Sequence, residues 1–210
     1  MTVRLWGWND DPAPLHEHIA QGGVIALPTE SSYGLGCDPR SSAGVETILE
    51  IKRRPAWKAM PVVVAELRQL GELGIDLDSP GLRQVATHWP AALGLVVKLD
   101  TPIPAAAGLP DLAVRVPGHP RLRRLLEVLG HGLTATSANR SGDAPILAVE
   151  ELTGLLEGHN VWVVDDGPQP GGPPSTLVRW TSDGFDLLRE GRVPFQLLGQ
   201  ASACSQGRCR

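Results

Sequence analysis

Lys52, Arg53, Arg54 and Lys58 put four cations into seven residues of a 210-residue chain whose formal net charge is −4. Such a local cluster suits an anion as dense as a triphosphate, since each charge-assisted hydrogen bond contributes about 1.5–3 kcal/mol. The plainer alternative is a solvated helix end, where Lys52 complements the negative pole of the helix dipole. Pro55 and the apolar run PVVVA after the cluster favour an anion site. The chain has to turn there, which sets the cations on a loop beside a sheet end.

Four further segments offer polar groups in the right kind of place. Pro28-Thr29-Glu30-Ser31-Ser32-Tyr33-Gly34-Leu35-Gly36 follows an apolar run. It supplies hydroxyls at Thr29, Ser31, Ser32 and Tyr33, and glycines that let a backbone approach a ligand closely. It contains no G-x-x-x-x-G-K-[ST] phosphate loop. Thr134-Ala135-Thr136-Ser137-Ala138-Asn139-Arg140-Ser141-Gly142 runs from an apolar stretch into small hydroxyl residues, an asparagine and a glycine. A turn of that composition can present N–H groups and hydroxyls to an anion, or be an ordinary Asn/Ser/Gly turn. Gly171-Gly172-Pro173-Pro174-Ser175-Thr176 leads a loop into a strand, and Leu188-Arg189-Glu190-Gly191 ends one with an arginine. Arg115 is a lone charge in the apolar run AVRVP, and it faces either solvent or a pocket. His16 and His18 flank Glu17 too closely for a zinc helix and are expected to be exposed. Asp165 and Asp166 read as a polar loop sooner than as metal ligands, and no metal-ligating residue is assigned.

These residues need a scaffold, and the composition supplies one. Hydrophobic residues make up 42% and charged residues 20%, the proportions of an ordinary globular chain. A chain of this size buries roughly 70% of its unfolded surface and needs no staples. The acidic balance argues against a protein that holds nucleic acid through a basic surface. The three cysteines, Cys37, Cys204 and Cys209, are too few and odd in number for a disulfide framework, which fits a reducing cytoplasm. The start MTVRLWGWNDDP has no signal-peptide pattern, and no apolar run nears the ~18 residues of a membrane span. A soluble, cytoplasmic protein is the expectation.

Short apolar runs predict strands over 24–27, 61–65, 93–99, 112–116, 133–136, 161–164, 176–180 and 185–189. Their unbroken apolar character suggests strands covered on both faces. Helical periodicity with stop residues predicts helices over 14–21, 42–53, 119–129 and 148–157. A further helix begins at Ser79, read as an N-cap with Pro80 behind it, and stops at Pro90. Interleaved elements give a single three-layer α/β domain over residues 1–200 with a twisted, mixed sheet flanked by helices. Residues 201–210 read as a frayed tail.

The ordered set PTESSYGLGCD, KRRP with Lys58 beyond it, Trp89-Pro90, AVRVP, Ser137-Ala138-Asn139-Arg140-Ser141-Gly142, PPSTLV and LREG covers about residues 13–193. It resembles the YrdC-like threonylcarbamoyl-AMP synthases, in their short bacterial form. The resemblance implies a twisted α/β sheet with a positively charged concave face. It implies a reaction in which L-threonine, bicarbonate or CO2, and ATP give threonylcarbamoyl-adenylate and pyrophosphate. A threonylcarbamoyl-transferase complex then uses the product to modify tRNA. Carried over residue by residue, it puts Lys52 and Arg54 in the catalytic role. Those two, Lys58, Ser137, Ala138, Asn139 and Arg189 meet the nucleotide, with Mg2+ bridging through the phosphates. Thr29, Tyr33, Ser175 and Arg115 meet the amino acid, and Arg suits a carboxylate because its donors form a fork.

One departure stands out. The family reads close to W-P-G-P-L-T where this chain reads Trp89-Pro90-Ala91-Ala92-Leu93-Gly94, so a hydroxyl expected at position 94 is missing. Two competing functions follow from the same residues. One is a non-catalytic tRNA-binding module using the 52–58 cluster with Arg121, Arg123 and Arg124. The other is a carbamoyl-transfer relative that uses a different carbamoyl donor.

Overall fold

The computed structural model describes residues 4–199. In chain order the elements are β1 (Arg4–Trp6), α1 (Ala13–Ala20), β2 (Val24–Pro28), β3 (Tyr33–Gly36), α2 (Ser42–Lys52) and β4 (Val62–Val63). Then come α3 (Arg68–Gly71), α4 (Pro80–Ala86), β5 (Leu93–Lys98), a 3-10 turn (Pro104–Ala106), β6 (Asp111–Arg115), α5 (Pro120–Leu129) and β7 (Leu133–Thr134). The chain continues through β8 (Thr136–Ser137), α6 (Val149–Leu156), β9 (Val161–Val164), β10 (Thr176–Thr181), β11 (Gly184–Arg189) and α7 (Gln196–Gly199). The tail expected at 201–210, with Cys204 and Cys209, lies outside the described residues.

The α/β class and the mixed strand directions hold. The strands divide between two sheets: β1-β9-β2-β3-β8 and β11-β10-β5-β6-β4-β7. Side-chain alternation explains why the strand runs are apolar throughout. In β2 and β9, Ile25, Leu27, Trp162 and Val164 join a core with Leu15 and Ile19 of α1 and Leu122, Leu125 and Leu126 of α5. Their neighbours Val24, Ala26, Val161 and Val163 face the opposite core, shared with Val45 and Ile48 of α2, Leu152 of α6 and Leu95 and Val114 of the second sheet. The first sheet is therefore a middle layer, and each fully buried aliphatic side chain there contributes roughly 1.5–3 kcal/mol.

The segment expected as one strand over 133–136 changes sheets in mid-run. Leu133 and Thr134 pair with β4, whereas Thr136 and Ser137 pair with β3. That crossing carries Ser137, Ala138 and Asn139 to the seam between the sheets. It passes so close to β3 that a Cβ at Gly36 would sit 2.7 Å from the Thr134 carbonyl oxygen. β3 is itself an unforeseen strand, because Tyr33–Gly36 reads as a loop by its glycines yet is buried throughout. β1 is likewise unforeseen, and its parallel pairing with β9 holds it in place.

Two helix ends differ from expectation. α4 stops at Ala86, short of Trp89, whose Nε1 donates to the Leu93 carbonyl at 2.6 Å. Ser79 does precede that helix, but its hydroxyl donates back to the Asp76 carbonyl at 3.0 Å and makes no capping bond. His18, expected at the surface, is buried: its Nε2 lies 2.9 Å from the Val24 carbonyl oxygen and its ring stacks on Trp162 at 5.0 Å. Among the described residues, no helix is long and apolar enough to cross a membrane.

Candidate functional site

A cleft of about 250 Å³ opens where the two sheets meet. One wall comes from the first sheet: Thr29 to Gly34 and Ala135 to Ser137. The other comes from one edge of the second sheet, where β5 and β10 begin behind Ala92 and Ser175 and where β6 and β11 end at Arg115 and Arg189. Pro173 and Pro174 lie over it, and Arg54, Pro61 and Arg192 complete the lining.

Arg54 reaches this cleft through the way α2 ends. Ser41 starts the helix, its hydroxyl accepting from the Gly44 N–H at 3.1 Å. Arg53 ends it in the left-handed region at φ 48°, and the Arg54 N–H reaches back to the Leu49 carbonyl at 3.0 Å. That reversal leaves Arg53 exposed and turns Arg54 inward. The Arg54 guanidinium donates to the Ala59 carbonyl at 2.6 Å, which closes the intervening loop, while its Nε is buried with no hydrogen-bond partner. An unpaired buried guanidinium donor is expensive unless a ligand meets it.

Lys52 does not line the cleft. It is buried, and its Nζ donates to the Ser137 carbonyl, to the Asn139 carbonyl at 3.0 Å and to Asn139 Oδ1 at 2.9 Å. The lysine thus ties the Ser137–Asn139 turn to α2 from behind, and it uses all three ammonium protons to do so. Burial, and to a lesser degree the Arg54 charge, pushes its pKa down to about 8. Asn139 Oδ1 also accepts from the Ser137 hydroxyl at 2.7 Å, and its amide donates to the Asp143 carbonyl at 2.7 Å. Of this turn, Ser137 faces the cleft. Ala138 is fully buried, its N–H bonded to the Tyr33 carbonyl at 2.8 Å, and Asn139 borders a shallow surface hollow on the far side. Lys58 is exposed beside Trp57 and lies outside the lining.

Thr29, Tyr33, Arg115, Ser175 and Arg189 all line the cleft with Arg54 and Ser137. The Thr29 hydroxyl donates to the Ser32 carbonyl at 2.8 Å, and the Tyr33 hydroxyl donates to the Gly167 carbonyl at 2.8 Å. Arg189 donates to the Ser175 carbonyl at 2.9 and 3.1 Å, which holds the start of β10 against the end of β11. Gly191 makes this approach possible, because a Cβ there would meet the Pro174 carbonyl oxygen at 2.2 Å.

Sequence reasoning passed over Glu30 and Arg192. Glu30 is the one carboxylate lining the cleft among the described residues, beside four arginines. It forms a salt bridge with Arg115, whose side chain is only 10% exposed against 13% for Glu30, and accepts from the Gly118 N–H at 2.7 Å. Burial alone would raise its carboxyl, yet the Arg115 charge and hydrogen bond, with the N–H donors, hold it below the ordinary carboxylate value. Arg192 donates to the Gly171 carbonyl at 2.6 Å and so anchors the covering loop. Asp166 accepts from Trp8 Nε1 at 3.0 Å, from Arg121, and pairs with His119 at 3.2 Å; it serves a polar junction.

Gly94 opens onto a second cavity of about 220 Å³ that shares Arg54, Pro61, Arg115, Ser175 and Arg189 with the cleft. Thr29 and Tyr33 do not reach this annexe, whose other walls include Met60, Ala113 and Leu177.

The protein-family model Sua5/YciO/YrdC, described as "Telomere recombination", matches residues 17–191. The threonylcarbamoyl-AMP synthase of Xylella fastidiosa strain 9a5c is 39% identical over 173 residues, covering 80% of this chain and 92% of that protein. The protein of the same name from Thiobacillus denitrificans is 36% identical over 166 residues, covering 78% and 88%. The crystal structure of P. abyssi Sua5 complexed with L-threonine superposes with a TM-score of 0.81 at 26% identity. That alignment covers 95% of this chain, which spans 60% of the archaeal protein's length. On the family match and these identities, the chain belongs to the Sua5/YciO/YrdC family.

Proposed function

We propose that this protein is a threonylcarbamoyl-AMP synthase, a nucleotidyltransferase that makes L-threonylcarbamoyl-adenylate and pyrophosphate from L-threonine, bicarbonate or CO2, and ATP. The observation that carries this reading is the convergence of Arg54, Arg115 and Arg189 with Thr29, Tyr33, Ser137 and Ser175 in one cleft. Anion-binding forks and small hydroxyl groups stand together where an amino acid and a nucleotide would have to meet.

The chemistry needs no protein nucleophile. The threonine amine combines with bicarbonate to give a carbamate and water. A carbamate oxygen then attacks the α-phosphorus of ATP, and pyrophosphate leaves. Rate comes from holding the reactants in line and from countering charge at the phosphates. In this reading Arg54, whose Nε lacks a partner, and Arg189 face the phosphates. Lys58 closes on them from its exposed loop. Ser137 meets the nucleotide directly, while Lys52, Ala138 and Asn139 fix the turn that presents it. Thr29, Tyr33 and Ser175 hold the amino acid, and Arg115 takes its carboxylate.

Among the described residues there is no group of three or more His, Cys, Asp or Glu side chains able to hold a metal ion. Magnesium is expected to enter with ATP, held mainly by its phosphate oxygens, where it would neutralise triphosphate charge. The product would pass to a tRNA-modifying transferase. A purely tRNA-binding role draws less support. Arg121 pairs with Asp166, Arg124 with Glu127, and Arg123 with the carbonyls of Pro117 and Gly118.

The test is pyrophosphate release by the purified protein. Release is expected only when threonine, bicarbonate and ATP are all present. Release that ignores threonine, or none with all three, overturns the reading; release that needs no bicarbonate or CO2 points to a different carbamoyl donor.

A further inference from the structure

Only one of Glu30's two carboxylate oxygens is taken by neighbouring residues. Its Oε1 accepts from both Arg115 and the Gly118 N–H. Its Oε2 takes no hydrogen bond from another described residue, and the further donor to the carboxylate is Glu30's own backbone N–H. The carboxylate sits at the amino-acid end of the cleft, next in sequence to Thr29 and clamped to Arg115.

Charge makes this position notable. The cleft lining carries four arginines and no other acid among the described residues, so it attracts anions and repels cations. ATP and the carboxylate of an amino acid are served by that field. The α-ammonium of a zwitterionic amino acid is not, and in this field it needs a negative partner. Arg115 and Glu30 side by side form a matched pair, a guanidinium for the carboxylate and a carboxylate for the ammonium.

We propose that Glu30 Oε2 receives the α-ammonium of the amino-acid substrate, so that Glu30 with Arg115 selects an α-amino acid over other small carboxylates. This inference rests on the proposed reaction and names how its amine is bound and oriented. A bystander role is distinct: there Glu30 would only hold Arg115 in place, and its loss would weaken every carboxylate ligand alike.

The test compares two ligands on two proteins by calorimetry. The ligands are L-threonine and (R)-3-hydroxybutyrate, which is threonine without its amine. The proteins are wild type and Glu30→Gln, which keeps the shape and drops the charge. Threonine affinity is expected to fall roughly tenfold or more in the variant, the loss of one charge-assisted hydrogen bond, with the deamino acid changing by less than about twofold. The KM for ATP should likewise stay within about twofold. Equal losses for both ligands, or no loss for threonine, overturn the proposal while leaving the wild-type reaction intact. Wild type that binds no threonine would instead overturn the reaction. Should Glu30→Gln fail to fold, Glu30→Asp draws the charge back by one methylene, and the same selective loss of threonine is required of it.

Discussion

Lys52 Nζ meets both oxygens that Asn139 offers, the carbonyl at 3.0 Å and Oδ1 at 2.9 Å, across 87 positions of sequence. The pair joins the end of α2 to the turn after β8, and the Ser137 carbonyl is a third acceptor of the same ammonium. The position at the end of the helix suggests a phosphate-binding lysine at the surface. Its burial makes it a brace for the residues that face the cleft.

Lys52→Ala should therefore lose both turnover and stability. From the sequence one would expect an unchanged melting temperature, as for an exposed cation. With buried acceptors left unpaired, the unfolding free energy should drop by about 1–3 kcal/mol or more. Urea titration measures the drop. A variant that is inactive but fully stable would return Lys52 to direct contact with ATP.

Arg54→Lys keeps the charge and removes the fork. The buried Nε without a partner and the bond to Ala59 are both guanidinium features. The ratio kcat/KM for ATP should fall by about 10- to 100-fold, in line with the loss of one or two charge-assisted hydrogen bonds. Threonine affinity measured without nucleotide should hardly move. A loss confined to threonine would contradict the assignment.

Gly94 lies in the annexe, which borders both Arg54 and Arg189, proposed for the nucleotide, and Arg115 and Ser175, proposed for the amino acid. Gly94→Ser restores the missing hydroxyl, and its Cβ would stand 3.1 Å from Leu177 Cδ1, a contact that Leu177 can relieve by a small shift. The variant should fold, at a penalty of about 1–3 kcal/mol for overpacking. Steady-state kinetics should find the KM values for ATP and for threonine both raised. Unchanged values for both would place Gly94 outside the substrate site.

Glu30 also leaves a mark on the pH dependence of stability. Its folded carboxyl titrates below the ordinary value of 4.5. Above 4.5 both native and unfolded carboxyls are ionised and the pairing stabilises the fold in full. As pH falls through and below 4.5 the unfolded state takes up the proton first, so the contribution is lost. The stability of wild type relative to Glu30→Gln should be flat from about pH 5 to 8 and decline below that window. Denaturation midpoints across this range check it, and a flat difference down to acid would remove the ion pair from the folded state.

Much of the frame was legible in the chain. The apolar runs of β2 and β9 announce strands buried on both faces, and Gly130 ends α5 in the left-handed conformation that glycine favours. Less visible were features made by distant partners. β3 is rich in glycine, and its burial comes from pairing with β2 and β8. The run after Gly132 looks like one strand because nothing local tells Ala135 that the two sheets diverge there. Glu30 has no evident role in the sequence until Arg115, 85 positions later, is brought beside it. The motif residues thus pointed to the cleft, while the division between those that face it and those that brace it, Lys52 and Asn139 above all, needed tertiary structure.

A crystal structure with ATP and L-threonine bound together tests the shared cleft most directly. Both ligands are expected between the sheets, the phosphates against Arg54 and Arg189 and the amino acid between Thr29, Arg115 and Ser175, with its nitrogen turned to Glu30. ATP and threonine found in separate places, or threonine away from Arg115, would contradict the proposal that one cleft assembles the adenylate.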